Sequence, residues 1–513
     1  MLVIMSKEAL FQEILMARQR VYEVGEATPL EKLPIGDLDI EIWAKREDLG
    51  PIKAYKWRGA YNAMASLTEE QRSRGIVAAS AGNHAQGVAL AARSLGCKAE
   101  IYMPLSTPEV KQNEVQRHGG DAVKIMLVGD SYDDAGIAAN RRCDELGAVY
   151  IHPYNDLATM GGQGTLADEI VMASSVPFDR VYIAIGGGGL ASSVACWLER
   201  FWPDCKIIGV EGVGQASMKA AIENGGPLEL DYVDVFCDGT AVRKVGENTY
   251  PYCRDLLDGI VTVTNDEVCH AIRRLWESIR VIPEPSGAMG LAAIMKDYAA
   301  GEIKPGEKVL TIICGANMDF AQLSNISRRA GIGSKQRRYL RVPVPEGKGS
   351  LVNILEQLPE EVSIVDLQYG KVGDKEQYPV MGLIGSAEEY RQFDQTLIEQ
   401  GIEATDVSTE EIVGYRIINY DSDLFKNPLF VNIEFPERAG AFLAFMLQVK
   451  QYSSLCYFNY SYSGERVGRA LVGMDFDSIE DQQACLKLIN TMVGGNIMAY
   501  QLVGEETLTR LLG

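Results

Sequence analysis

Short runs rich in β-branched and apolar residues alternate with helical stretches along the first two thirds of the chain, and this alternation narrows the fold more than any other feature. The runs are Ile76–Ala79, Glu100–Met103, Ala122–Leu127, Val149–Ile151, Val181–Ile185, Ile207–Val210, Ile260–Val263 and Val309–Ile313. An amphipathic helix over residues 6–22 and a short strand over Glu41–Ala44 precede them. Short apolar strands separated by helices belong to a parallel sheet covered on both faces. The expectation is an α/β fold of two lobes with parallel-rich sheets, binding its ligand at the carboxyl ends of strands.

The pattern changes after the basic, glycine-containing stretch Gly331–Arg338, where strands with charge-rich connections take over. Val342–Leu351 is echoed by Ile433–Phe442: each time a strand, a Pro-Glu turn (Pro345-Glu346, Pro436-Glu437) and a glycine (Gly349, Gly440) ahead of a helix. A repeat about 90 residues apart reads as a duplicated α+β module. The division expected is 1–333 for the α/β domain, 334–340 for a linker, and 341–425 and 426–513 for the two modules. A chain of 513 residues has room for all of this.

Composition removes several classes of function. Seventy acidic residues against 49 basic ones give a net charge of −21, a field that repels phosphate backbones and acidic lipid surfaces. Neither nucleic acid nor membrane is expected as a partner. Ten cysteines stand singly, and the four histidines (His84, His118, His152, His270) make no zinc-ligand spacing with them. Reduced thiols fit a cytoplasmic protein, and no metal is expected. The apolar start, Met1–Met5, meets Lys7 and Glu8 with no basic region or cleavage site, so no signal peptide is read. The uncharged run Val181–Leu198 is long enough to span a membrane, but Gly186–Gly189 would break it. It reads as a buried strand, a turn and a helix.

That turn carries chemistry. Gly186-Gly187-Gly188-Gly189-Leu190 lets backbone N–H groups converge on an anion at a helix N-terminus, so a phosphate is expected there. The same residues satisfy G-x-G-x-x-G/A with Ala191, and Glu211 ends the next strand where a ribose-binding acid belongs, which keeps a nicotinamide-dependent oxidoreductase as an alternative. Lys56 stands between Tyr55 and Trp57, where partial desolvation would free its amine for Schiff-base chemistry; a lysine so flanked also occurs as an ordinary surface residue. Ser80-Ala81-Gly82-Asn83-His84-Ala85-Gln86-Gly87 follows a strand and opens a helix. It makes either a nest for a carboxylate or a helix cap at Asn83.

Taken together, these segments resemble the fold-type II pyridoxal-phosphate enzymes, and among them the threonine dehydratases (threonine ammonia-lyases). The resemblance rests on Lys-Arg-Glu-Asp-Leu at 45–49, Tyr-Lys-Trp-Arg-Gly-Ala-Tyr-Asn at 55–62, the 80–87 segment, the glycine run, Glu-Pro-Ser-Gly-Ala at 284–288 and Cys-Gly-Ala-Asn at 314–317, in the family's order and spacing. It spans roughly residues 20–330, and the tail resembles the paired ACT-like regulatory modules of biosynthetic threonine dehydratases. The resemblance implies that Lys56 holds pyridoxal 5'-phosphate and removes the Cα proton. It implies that Gly186–Gly189 and Leu190 bind the cofactor phosphate, Asn83 the ring hydroxyl, Tyr55 a ring face and Cys314 the pyridine nitrogen. Ser80, Ala81, Gly82, Asn83 and His84 would hold the substrate carboxylate.

The implied reaction is β-elimination of water from L-threonine, followed by hydrolysis of the released enamine, which takes the water back up and frees ammonia to leave 2-oxobutanoate, at the head of isoleucine biosynthesis. Allosteric control would come from an amino acid such as isoleucine or valine bound near the Pro345 and Pro436 turns, in a homo-oligomer, a tetramer. A relative acting on serine or 3-hydroxyaspartate would share every motif. Two positions depart from the family: Ala54 replaces the common serine before the aromatic residue and lysine, and Ala81 replaces the second acid/base serine of serine racemases, which disfavours racemisation.

Overall fold

The alternating runs fold as two separate sheets. The computed structural model describes residues 6–105, 107–129, 132–344, 350–370, 378–409, 425–436, 441–461, 467–493, 496–497 and 499–504. It divides into two units, Met1–Ala330 and Gly331–Gly513.

Among the described residues, the first unit holds ten strands: β1 (Leu30–Lys32), β2 (Glu41–Arg46), β3 (Ile76–Ala79), β4 (Ala99–Met103), β5 (Val123–Leu127), β6 (Val149–Tyr150), β7 (Arg180–Ala184), β8 (Lys206–Gly212), β9 (Gly259–Val263) and β10 (Lys308–Ile313). One sheet, in the order β5-β4-β3-β6, is parallel throughout. The other runs β1-β2-β10-β7-β8-β9 and is parallel except where β1 meets β2. Each expected strand lies within two residues of its expected ends; all five residues of the central β7 are buried, whereas β5 is only partly buried and β6 and β9 are largely half-buried. Strand β10 arrives last in the chain yet lies between β2 and β7, pairing Lys308–Ile313 with Glu41–Arg46. This insertion brings the residues after β10 beside those that follow β2.

Small residues let three helices approach closely around Lys56. A Cβ on Gly87, in the helix Asn83–Ser94, would lie 3.0 Å from the Lys56 carbonyl oxygen. A Cβ on Gly162, in the helix Leu157–Ala173, would lie 2.4 Å from the Arg58 carbonyl oxygen. The helix Trp57–Ala65 is therefore held on both sides by backbone, with Lys56 as its N-terminal cap.

The second unit repeats one order of elements. Strand β11 (Arg337–Arg341), a helix (Ser350–Leu355), β12 (Ser363–Gly370), β13 (Val380–Ile384), a helix (Ala387–Glu399) and β14 (Thr405–Asp406) form the first module. Strand β15 (Leu429–Pro436), a helix (Ala441–Val449), β16 (Ser453–Ser461), β17 (Val467–Phe476), a helix (Ile479–Met492) and β18 (Ala499–Leu502) form the second. Antiparallel pairing of β12 with β16 joins them into one eight-stranded sheet, β14-β11-β13-β12-β16-β17-β15-β18. Strand β11 begins within the stretch 334–340 that the sequence suggests as linker. Of the turns expected to edge an effector site, Pro345, Glu346 and Glu437 lie outside the described residues, as do Gly349 and Gly440. Among the described residues, no helix is long and apolar enough to cross a membrane, and no three metal-ligating side chains cluster.

Candidate active site

Lys56 is placed by an isolated antiparallel bridge between two segments distant in the chain rather than by a strand. Lys53 takes a left-handed backbone (φ +56°), Ala54 bridges Gly315 in antiparallel fashion, the Tyr55 N–H donates to the Cys314 carbonyl at 3.1 Å, and the Ala316 N–H donates to the Lys53 carbonyl at 2.8 Å. The segment leaving β10 is thereby bound to the segment that carries Lys56. Ala54 is fully buried in this pairing. Burial lowers the Lys56 pKa below the usual lysine value, opposed by the nearby Glu284, Cys314 and Asp238, so the amine is more readily neutral than a surface lysine. Its Nζ lies 6.0 Å from the centre of the half-buried Tyr55 ring. The Cys314 thiol is buried, and burial next to Glu284 pushes its pKa up, so it remains a neutral S–H.

Asn83 opens its helix and is buried. Its Nδ2 donates to Glu284 Oε1 at 2.8 Å, and its Oδ1 accepts from Asn317 Nδ2 at 2.7 Å. One amide proton of Asn83 is left for a further acceptor. The Ser80 Oγ accepts from the Gly82 N–H at 3.3 Å. The His84 ring is buried, with Nε2 2.9 Å from the Ile151 carbonyl oxygen, and burial pushes its pKa down to about 3. It is a neutral ring turned toward the strand end, so only its backbone belongs to the turn.

Gly186–Gly189 link β7 to the helix Gly189–Phe201. Gly188 has φ +92°, and a Cβ there would lie 2.7 Å from Thr249 Oγ1; one on Gly187 would lie 2.3 Å from the Tyr154 ring. The carbonyls of this loop are satisfied: Gly187 accepts from the Thr249 hydroxyl at 2.6 Å and Gly188 from the Ser192 hydroxyl at 2.7 Å. Among the described residues, no backbone carbonyl accepts from the N–H groups of Gly186, Gly187, Gly188 or Gly189. Four donors at the positive end of a helix make a cradle for a phosphate.

Glu211 does not serve a ribose. It is wholly buried, and its carboxylate accepts from the Met218 and Lys219 N–H groups at 2.7 and 2.9 Å, capping the next helix. The acid needed for the nicotinamide reading is thus already committed.

Two features escape the sequence reading. Glu284, the first residue of a quoted motif that was given no role of its own, is buried beside Lys56, Asn83 and Cys314; burial, reinforced by Asp238, raises its pKa to about 7. Beneath the site, Arg58 is fully buried and forks onto Glu47 at 2.9 and 3.0 Å, while also donating to Glu169. Lys45 completes this network by donating to Glu169 and to the Thr28 carbonyl. Two cations face two carboxylates, an arrangement that burial tolerates only when every charge is paired. The charged pattern of 45–49 is the visible trace of it in sequence, although its partner Glu169 is distant in the chain.

Residues 21–315 match the family model described as pyridoxal-phosphate dependent enzyme, and residues 425–512 match that described as the C-terminal regulatory domain of threonine dehydratase. The chain is 36% identical over 475 residues, 90% of both chains, to the biosynthetic L-threonine dehydratase of Haemophilus influenzae. It is 36% identical over 479 residues, 89% of this chain and 75% of the other, to the chloroplastic threonine dehydratase 1 of Solanum lycopersicum. Among solved structures, the processed threonine deaminase isoform 2 of Solanum lycopersicum superposes with a TM-score of 0.61 at 39% identity, covering 64% of this chain and 94% of that one. Maize serine racemase superposes with a TM-score of 0.57 at 31% identity, covering 61% and 96%. With its glycine cradle, half-buried lysine and neutral thiol in that fold, the chain belongs to the biosynthetic threonine dehydratases, within the pyridoxal-phosphate-dependent enzymes.

Proposed function

We propose that this protein converts L-threonine to 2-oxobutanoate and ammonia in the cytoplasm, as the first step of isoleucine biosynthesis. The observation that carries the reading is the meeting of a desolvated lysine, a neutral buried thiol and a cradle of unpaired N–H groups in one unit. Pyridoxal 5'-phosphate, when bound, supplies a conjugated ring that accepts the electron pair left at Cα.

The chain's own residues do the rest. Gly186–Gly189 and Leu190 hold the phosphate by backbone N–H groups and the helix dipole. Asn83 gives its remaining amide proton to the ring hydroxyl, with Asn317 and Glu284 fixing the amide's orientation. Tyr55 packs beside the ring. Cys314 would offer the pyridine nitrogen a neutral S–H, a partner that would limit how much charge the bound ring takes. Lys56 anchors the cofactor and then takes the Cα proton at Nζ, a task that needs the neutral amine its burial favours. Ser80, Ala81, Gly82, Asn83 and His84 hold the substrate carboxylate, His84 through its backbone.

The second unit then serves as the sensor of an amino-acid effector, isoleucine with valine as a second ligand, in a homotetramer. The match of residues 425–512 to a regulatory domain supports this role.

Purified protein incubated with β-hydroxy amino acids should form 2-oxobutanoate from threonine and pyruvate more slowly from serine. Lys56→Ala should lower the rate at least about a hundredfold, the usual contribution of a positioned base. Isoleucine should suppress the wild-type rate. Yellow protein that forms no keto acid from threonine would overturn the substrate.

A further inference from the structure

Lys111 and Arg243 are both paired within the chain, and the first of these pairs bears on the candidate active site. Lys111, in the helix Glu109–Gly119, meets Asp238 at 2.5 Å, joining elements 127 residues apart. The backbone next to Asp238 lies against Glu284, since a Cβ on Gly239 would come 3.2 Å from Glu284 Oε1, and Asp238 acts electrostatically on both Lys56 and Glu284, as Glu284 and Tyr132 do on Lys111. The Ala81 N–H, in the turn assigned to the substrate carboxylate, is near enough to Tyr132 to favour its ionised form. The pair therefore stands beside the space that a substrate's side chain enters. Further along the same loop, Arg243 is likewise occupied, by Asp133 at 3.5 Å and Glu229 at 3.3 Å.

We infer that Asp238 is a specificity-determining residue: by occupying Lys111 it denies an ion-pair partner to a second carboxylate, and so restricts the site to β-hydroxy amino acids with uncharged side chains. This rests on the proposed dehydratase reading and refines it. A β-carboxylate entering here would find Lys111 neutralised and would face the negative charge of Asp238, a repulsion that solvent weakens because the Asp238 side chain is 41% exposed, but does not remove. Removing the Asp238 charge inverts the balance. Lys111 then becomes a free ammonium beside the substrate side chain, the group a dicarboxylic amino acid needs.

The test compares kcat/KM for 3-hydroxyaspartate and threonine in the full-length, cofactor-loaded wild type, Asp238→Asn and Asp238→Asn/Lys111→Met. The ratio should rise about tenfold or more in the single variant and fall back in the double variant. Calorimetric titration with succinate, against butanoate as the singly charged control, gives a reading independent of turnover. Succinate should bind about tenfold tighter to Asp238→Asn than to wild type, and the gain should vanish in the double variant. An unchanged ratio with unchanged succinate affinity overturns the inference, as does a gain that survives loss of Lys111. Absence of keto acid from threonine in the wild type would instead refute the dehydratase reading, and the succinate titration would still judge the role of Asp238.

Discussion

Glu284 shows how much one carboxyl can change with its surroundings. Its pKa near 7 arises first from burial, and the native state binds its proton more tightly than the unfolded chain does. The associated stabilisation is complete below the ordinary glutamate value and is lost as pH rises through about 7. Glu284→Gln should therefore reduce the fall in stability between pH 5 and 8 by about 2 kcal/mol, measured by denaturant unfolding at a series of pH values. Glu211, also raised to about 7 by burial, should keep part of the slope in that variant. Neither shift is legible in sequence, because desolvation depends on atoms far away in the chain: Asn83 and Glu284 are 201 residues apart. Lys56, Asn83 and the glycine run could be read in sequence because local backbone geometry, a turn or a helix start, carries their chemistry. Cys314 could be read only in company, since a cysteine after an apolar strand is ordinarily core.

At the scale of elements, the parallel strands were legible because a doubly buried strand must be largely apolar, as β7 is after Arg180 and β10 after Lys308 but for Thr311. The insertion of β10 between β2 and β7 was not, since strand order leaves no periodic mark on sequence. Two predictions belong to this level. Gly188→Ala forces a side chain onto φ +92° and against Thr249 and Met218, so it should destabilise the first unit by about 2 kcal/mol and weaken cofactor binding about tenfold. Thermal unfolding and titration of the apoprotein with pyridoxal phosphate would show both. Arg58→Met leaves Glu47 and Glu169 facing Lys45 alone, and should cost about 3–5 kcal/mol in denaturant unfolding. That network ties β2, the Lys56 helix and the helix Leu157–Ala173 together, so Lys56 should lose its fixed place along with the stability.

The molecule as a whole has separate cores. Buried Leu340, Phe393, Phe458 and Ile489 belong to a cluster that shares no residue with those of the first unit. Phe458→Ala, opening a cavity at a fully buried position, should cost the second unit about 3–5 kcal/mol. Threonine turnover should persist while the isoleucine response disappears, as followed by keto-acid formation with and without effector. The duplication could be seen in sequence because each module repeats a strand, a Pro-Glu turn and a glycine; the pairing of β12 with β16 that fuses them could not, because neither strand names its partner. Finally, the knot of hydrogen bonds between residues 53–55 and 314–316 has a consequence for biosynthesis. Lys56 emerges early from the ribosome, but its surroundings are complete only after β10 and the residues beyond it have been made. A nascent chain halted before that point carries the reactive lysine with neither Cys314 nor Glu284 beside it. Premature termination or a nick that frees this segment would leave an open, inactive lobe, so the enzyme gains competence in one late step instead of growing into it.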